Sequence, residues 1–302
     1  MKLVVASAAH QFGRDALTFE AWGSGLTRAQ FQEREQVLRA HRWAKRTMTT
    51  WLWCAADGSV LASCESFVDD ARVGERLGSA ATIASVFTET SLRGKGHAAQ
   101  MLQAVIAQLA RDPRMLAVTL FSEIGTGLYQ RLGFWPVPAF DTWFPASSDA
   151  PRGVEWIEGV LPGPRHAPGD ASALRLTLSS ERLDWQLERE RIYGTLLGRP
   201  TLDVHGARVG DRTITWSAYW KTNELHVLSL DARTEAEAAP LIAAARNAAH
   251  RVGLPTVRVW ETHPLSSLPD ARRAERTDEI AMFCPLVPGL CAWTEVERGL
   301  WA

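Results

Sequence analysis

The chain has 302 residues, enough for one large domain or two medium ones with real hydrophobic cores. Its 33 basic and 34 acidic residues leave a formal net charge of −1, which gives no electrostatic case for a nucleic-acid or membrane partner. No apolar run is long enough to cross a bilayer, and MKLVVASAAHQFG is too briefly apolar for a secretion signal, so the expected home is cytoplasmic. The four cysteines, Cys54, Cys64, Cys284 and Cys291, have neither metal-ligand spacing nor disulfide density, and read as reduced, mostly buried thiols. Thirteen tryptophans spread over both halves suit core and pocket walls.

In chain order, Lys2–Ala6 alternates weakly and reads as a first strand. A helix starts at Thr27, where Thr27 and Gln30 have capping-box spacing and Leu26 and Phe31 that of a hydrophobic staple; it is expected to reach about His41. Met48–Ala55 and Val60–Val68 read as strands of a hairpin over Ala56-Asp57-Gly58-Ser59. The polar stretch 69–79 reads as a loop or an extension of the second strand. Thr82–Thr88 is an apolar strand that runs into Arg93-Gly94-Lys95-Gly96-His97-Ala98. The helix after it, near 97–110, carries a stripe of Ala98, Met101, Leu102, Val105, Ile106 and Leu109. Asp112-Pro113 stops it, and Met115–Phe121 reads as a strand buried on both faces. A short helical run, Gly127–Leu132, ends at Gly133.

Residues 145–172, rich in Pro, Gly, Ser and Ala, read as a connection broken by one short strand at Val154–Ile157. Beyond it come a helix at Glu181–Tyr193 and a hairpin of Thr213–Trp220 with Glu224–Leu230. A long alanine-rich helix to Val252, with Pro240 expected in its first turn, precedes a strand at Thr256–Trp260. Both halves therefore read strand, helix, strand. Only the first has glycines at the strand-to-helix turn. The second has Asp231, Glu235 and Glu237 there, which suit a helix N-terminus and repel a phosphate. Two glycines one residue apart let backbone N–H groups converge at a helix start, a site for a pyrophosphate. Arg93 and Lys95 add positive charge beside it.

Arg93–Ala98 also matches the [QR]-x-x-G-x-[GA] signature, and Ser122–Phe134 (SEIGTGLYQRLGF) resembles the later N-x-x-A-x-x-L-Y-x-x-L-G-F motif, of the GNAT acyltransferase superfamily. Ser122 and Gly125 depart from that motif's usual Asn and Ala. A closer likeness, carried by Trp22-Gly23, Gly25-Leu26-Thr27, Leu61–Ser66 and Ile83–Thr88, is to the fungal lysine N-epsilon-acetyltransferase family, which has an added C-terminal domain. The likeness is good over residues 20–145 and looser over 173–302.

The resemblance implies an α/β protein with a mixed sheet: a GNAT fold followed by a second, smaller GNAT-like α/β domain. The expected division is a catalytic domain at 1–145, a linker at 146–172 and a C-terminal domain at 173–302 without a cofactor loop. It implies acetyl-CoA as donor, its pantetheine on the backbone of Val86, Phe87 and Thr88 and its pyrophosphate on Arg93, Gly94, Lys95, Gly96, His97 and Ala98, with Ser122 nearby. The expected reaction is direct attack by a small primary amine, possibly lysine or a related amino acid. A lysine-like ammonium has a pKa of about 10.4, so freeing its proton at pH 7 costs on the order of 4–5 kcal/mol unless a base helps. Glu65, Glu123 and Glu89 are candidate bases, and Tyr129, at the family's usual position, is the expected acid for the leaving thiolate. Trp22, His41 and Trp43 are candidate acceptor contacts. A terminal carboxylate threaded into the site is a further reading of Gly299-Leu300-Trp301-Ala302. A non-catalytic acyl-CoA-binding module, or an acceptor that is a protein N-terminus, an aminoglycoside or a polyamine, remains as an alternative. Oligomeric state is not legible.

Overall fold

Two sheets carry the chain in a computed structural model that describes residues 1–158, 163 and 170–301. The expected linker thus lies partly outside the described residues. Strand β1 (Lys2–Val5) leads into helices α1 (Ala8–Trp22), α2 (Arg28–Ala40) and α3 (Arg42–Thr47). A meander of β2 (Met48–Cys54), β3 (Val60–Val73) and β4 (Arg76–Phe87) follows. Helix α4 (His97–Leu109) then crosses to β5 (Met115–Ser122), which pairs parallel with β4. Next come α5 (Gly127–Gln130), β6 (Trp135–Pro136), β7 (Phe140–Pro145), β8 (Glu155–Ile157), β9 (Ala173–Leu176) and α6 (Ser180–Leu196). Strands β10 (Gly206–Val209), β11 (Arg212–Tyr219) and β12 (Glu224–Asp231) precede α7 (Glu235–Arg251), which returns the chain to β13 (Thr256–Trp260), parallel to β12. Strands β14 (Arg272–Glu275), β15 (Ile280–Pro285) and β16 (Ala292–Trp293) complete the set.

The first sheet runs β1-β2-β3-β4-β5-β15-β6, with β9 on the far end of β3 and β16 on β9. The second runs β14-β7-β13-β12-β11-β10-β8. Strand β7, before residue 146, thus lies in the second sheet, and β15, far beyond it, lies in the first. The two strand–helix–strand units read from the sequence are both present as parallel pairs, β4–α4–β5 and β12–α7–β13.

Local chemistry accounts for most of these elements. Thr27 and Gln30 make both bonds of a capping box, and Leu26 and Phe31 are buried beside it. Helix α4 buries Met101, Leu102, Val105 and Leu109 against the first sheet. Helix α7 lays Ala238, Ala244, Ala245, Ala248 and Ala249 on the second, small side chains that let the backbones approach closely.

Three readings change. Helix α1 has no sequence counterpart because its buried residues are Arg14, Asp15 and Thr18, so no apolar period marks that face. Of the two readings of residues 69–79 the strand extension holds and the loop does not: β3 and β4 continue as a hairpin turning at Gly74, with Asp69 paired with Arg182 and Ala71–Val73 paired with β9. Pro240 lies in the second turn of α7, which begins at Glu235 behind its cap Thr234. Of the cysteines, Cys54, Cys64 and Cys284 are buried and Cys291 is exposed.

The chain's last described residues are pinned to α6. Arg182, fully buried, donates from Nη1 to Asp69 at 2.5 Å and from Nε to the Gly299 carbonyl at 3.1 Å, and also bonds the Leu300 carbonyl. Gln186 holds the Trp301 carbonyl in the same way. Removing one partner of a buried ion pair leaves the other uncompensated. The Arg182→Met variant is therefore expected to lose about 3–5 kcal/mol in denaturant unfolding. Adding Asp69→Asn should return part of that loss; additive losses would contradict the pairing.

Candidate functional site

The site begins with a break in strand pairing. Between the pairs Glu65–Ala84 and Ser63–Phe87, β4 carries one more residue than β3. That bulge contains Ser85, at φ 52°, a left-handed conformation uncommon for serine. The parallel ladder of β4 and β5 ends at Ile83–Leu120, yet β4 continues to Phe87 and β5 to Ser122, the latter bonded to β15. The two strands part.

Arg14 of α1 holds the bulge in place. Its Nε donates to Ser63 Oγ at 3.0 Å, its Nη1 to Glu65 Oε1 at 3.0 Å and its Nη2 to the Ser85 carbonyl at 2.9 Å. Glu65 and Arg14 are both buried. The carboxylate read from the sequence as a candidate base is thus already ion-paired.

The parted strands open into a cavity of about 570 Å³, within the range of small-ligand pockets. The side next to the bulge and the glycine loop is lined by Ser85, Val86, Phe87, Thr88, Arg93 and Ala98. Gly94 and Gly96 lie at φ 77° and 79°, left-handed values that favour glycine, and a Cβ on either would meet nothing within 4 Å. Gly96 caps α4 with no side chain, so the first-turn N–H groups of His97, Ala98 and Ala99 point out of the helix end. Space and donors coincide at the loop. Lys95 is exposed, and Arg93 donates from Nε to the Thr88 carbonyl at 3.0 Å. His97 is half-buried, with Nδ1 unpaired.

The remaining residues divide. Tyr129 is buried, packs edge-to-face on Phe134 and lines the cavity. Glu123 also lines it, but from an exposed position. Ser122 Oγ donates to the Gly125 carbonyl at 2.5 Å and accepts from Ile124 N–H, which commits it to its own turn. Trp22 lines the cavity edge-to-face with Phe87. Trp43 does not: it is fully buried, stacks on Phe67 and donates to Asp69 at 3.0 Å. His41 caps α3 by accepting from Trp43 N–H and contacts Asp184 at 3.2 Å, away from the cavity lining. Glu89 is exposed and accepts from Ser91 Oγ.

The opposite wall was not legible. It is built from Arg34 and Glu35 of α2, Arg189, Glu190 and Tyr193 of α6, Tyr219 and Lys221 of the β11–β12 hairpin, and Trp301. One signal was available in α6, where Arg182, Gln186 and Glu190 recur every four residues. All three are buried, so that face is a polar stripe turned inward.

Comparison with known proteins fits this geometry. The acetyltransferase (GNAT) family matches residues 16–134, and the LYC1 GNAT-like C-terminal domain matches residues 170–282. The chain belongs to the GNAT N-acetyltransferase family. No protein of curated function matches it. Among solved structures, a GCN5-related N-acetyltransferase from Kribbella flavida is 19% identical at a TM-score of 0.55, over 94% of this chain and 72% of that one. Eis1 from Mycobacterium abscessus is 11% identical at 0.59, over 95% and 74%. A probable N-acyltransferase from Enterococcus faecalis is 13% identical at 0.59, over 93% and 71%. At such identities the likeness is one of fold.

All three tyrosines of the chain line the cavity, and burial pushes each phenol above its ordinary value, Tyr129 to about 12. A native spectrophotometric titration should therefore show no phenolate step at about pH 10, the ordinary tyrosine value. The native state holds these protons more tightly than the unfolded chain, so stability should fall as pH rises from about 10 toward 12. A native phenolate step at the ordinary value would contradict the burial of these rings.

Proposed function

We propose that the chain transfers the acetyl group of acetyl-CoA to a small primary amine, with lysine or a related amino acid as the favoured acceptor. The observation that carries this reading is the convergence on one cavity of the parted strands, the glycine loop and Tyr129. The donor fits the residues present: the loop offers backbone donors and open space in front of both glycines. Backbone groups of Val86, Phe87 and Thr88 would pair with the pantetheine amides as an added strand would. Arg93 to Ala98 would hold the pyrophosphate, with Lys95 adding charge. Acetyl-CoA supplies the acyl group already activated as a thioester.

The chain's own groups supply orientation and proton handling. With its phenol at about 12, Tyr129 stays protonated at neutral pH and keeps an O–H donor in the cavity. Full transfer of that proton to a thiolate of pKa about 8.5 would be uphill by roughly 5 kcal/mol. Tyr129 therefore works by donating a hydrogen bond to the leaving sulfur. Glu65, through Arg14, keeps the bulge open rather than meeting the amine. Glu123 and Trp22 stand at the cavity wall, where they would meet an entering acceptor.

Tyr129→Phe should retain CoA affinity and lose about 10²-fold or more in turnover, measured as thiol release with a panel of lysine, polyamines and aminoglycosides. Unchanged turnover would remove Tyr129 from the chemistry. No turnover by the native chain on any amine, alongside tight CoA binding, would leave a binding module instead. Gly96→Ala forces a Cβ into a left-handed residue at about 1–2 kcal/mol. Calorimetry should show CoA binding roughly tenfold weaker, with Tyr129→Phe as the unaffected control.

A further inference from the structure

Four carboxylates line the cavity: Glu35, Glu65, Glu123 and Glu190. Glu35 is held by Arg34 at 2.6 Å, and Glu65 by Arg14 at 3.0 Å. Glu123 is exposed. Glu190 differs from all three. It is 8% exposed and faces the cavity, and its nearest cation, Arg189 Nε, lies at 3.6 Å, beyond hydrogen-bond range. Among the described residues no hydrogen bond to its carboxylate is recorded. A buried carboxylate left without a hydrogen-bonded partner is costly unless a ligand completes it.

We propose that Glu190 is the group that receives the acceptor's ammonium and takes its proton. This rests on the amine acetylation proposed above. Tyr193, Tyr219 and Trp301 line the same part of the cavity, their rings packed by the guanidiniums of Arg34, Arg298 and Arg189 respectively. The charged groups facing Glu190 are Arg189 on its own helix, Arg34 of α2, Lys221 of the β11–β12 hairpin and Arg298 near the chain's end. Arg34 is neutralised by Glu35 and Arg298 by Glu279 at 2.5 Å, while Arg189 at 3.6 Å pairs with Glu190 itself, so an incoming ammonium would share the carboxylate with Arg189. Burial raises the Glu190 carboxyl above the ordinary glutamate value, which makes it a better proton acceptor than an exposed carboxylate.

The step balances. One ammonium proton passes to Glu190, and the freed nitrogen lone pair forms the bond to the acyl carbon. The carbon–sulfur bond breaks with its electron pair on sulfur. The nitrogen's second proton ends on the thiol, and Glu190 returns its own to water.

Glu190→Gln keeps the shape and removes the charge. Its kcat/KM for lysine or cadaverine should fall by about 10²-fold at neutral pH, within the range of general-base effects. The deficit should shrink as pH approaches the amine's own pKa of about 10.4, where free amine needs no base. The acid limb of the native profile, set above the ordinary glutamate range, should vanish. CoA affinity should not change. A uniform loss at every pH, or a native-like profile, would overturn the proposal. Equilibrium binding of cadaverine to the CoA-saturated protein gives a readout independent of turnover: the native chain should bind it and Glu190→Gln should not, with Glu190→Asp intermediate. If the native chain binds cadaverine through Glu190 yet never acetylates it, the reaction fails while the ammonium site stands. If it binds no amine, the site fails.

Discussion

Everything in the cavity depends on β4 and β5 ceasing to pair while both strands continue. A parallel ladder that ran on past Ile83 and Leu120 would bond those backbone groups to each other and leave nothing to hold a ligand. The extra residue at Ser85 turns β4 aside, and the buried guanidinium of Arg14 takes up the displaced carbonyl together with Ser63 and Glu65. A left-handed serine costs energy that an over-determined surrounding must offset. Three hydrogen bonds from one buried arginine supply that constraint. The glycine loop, Tyr129 and the wall carrying Glu190 are then arranged around an opening that already exists.

The second half of the chain serves this opening as well. Helix α6 carries Arg189, Glu190 and Tyr193 into the cavity wall. On the same helix, Arg182 and Gln186 fix the backbone that presents Trp301. Strand β15 pairs with β5 up to Ser122, so the strand that β4 abandons keeps a partner on its other side. Distant parts of the sequence therefore line one cavity. Exposed Glu123 and Lys221 lie at its rim, and buried Tyr129 and Glu190 lie within.

What the sequence shows is what local chemistry encodes. The capping box at Thr27, the α4 stripe, the paired glycines and both strand–helix–strand units are written in short spacings, and the structure contains them where those spacings put them. Helix α1 escapes because it turns Arg14, Asp15 and Thr18 inward, and a polar buried face has no apolar period. The pairing of β15 with β5 escapes because nothing local marks a partner so distant. For the same reason Glu65 reads as a candidate base until Arg14 is seen beside it. His41 and Trp43 have the residue types of an acceptor site, yet the fold spends one on a helix cap and the other on an aromatic cluster with Phe67 and Trp185. The wall facing the glycine loop draws one to three residues from each of four separate stretches, and only the buried polar stripe of α6 leaves a spacing to read.

Whether the gap between β4 and β5 holds the donor, continuous with the wall that carries Glu190, is tested most directly by a crystal structure of the protein with CoA. The expected result has the pantetheine amides on the backbone of Val86–Thr88, the pyrophosphate over Arg93–Ala98 and the sulfur beside the Tyr129 hydroxyl, on the side that opens toward Glu190. CoA bound elsewhere, or β4 and β5 zipped together with no ligand between them, would contradict it.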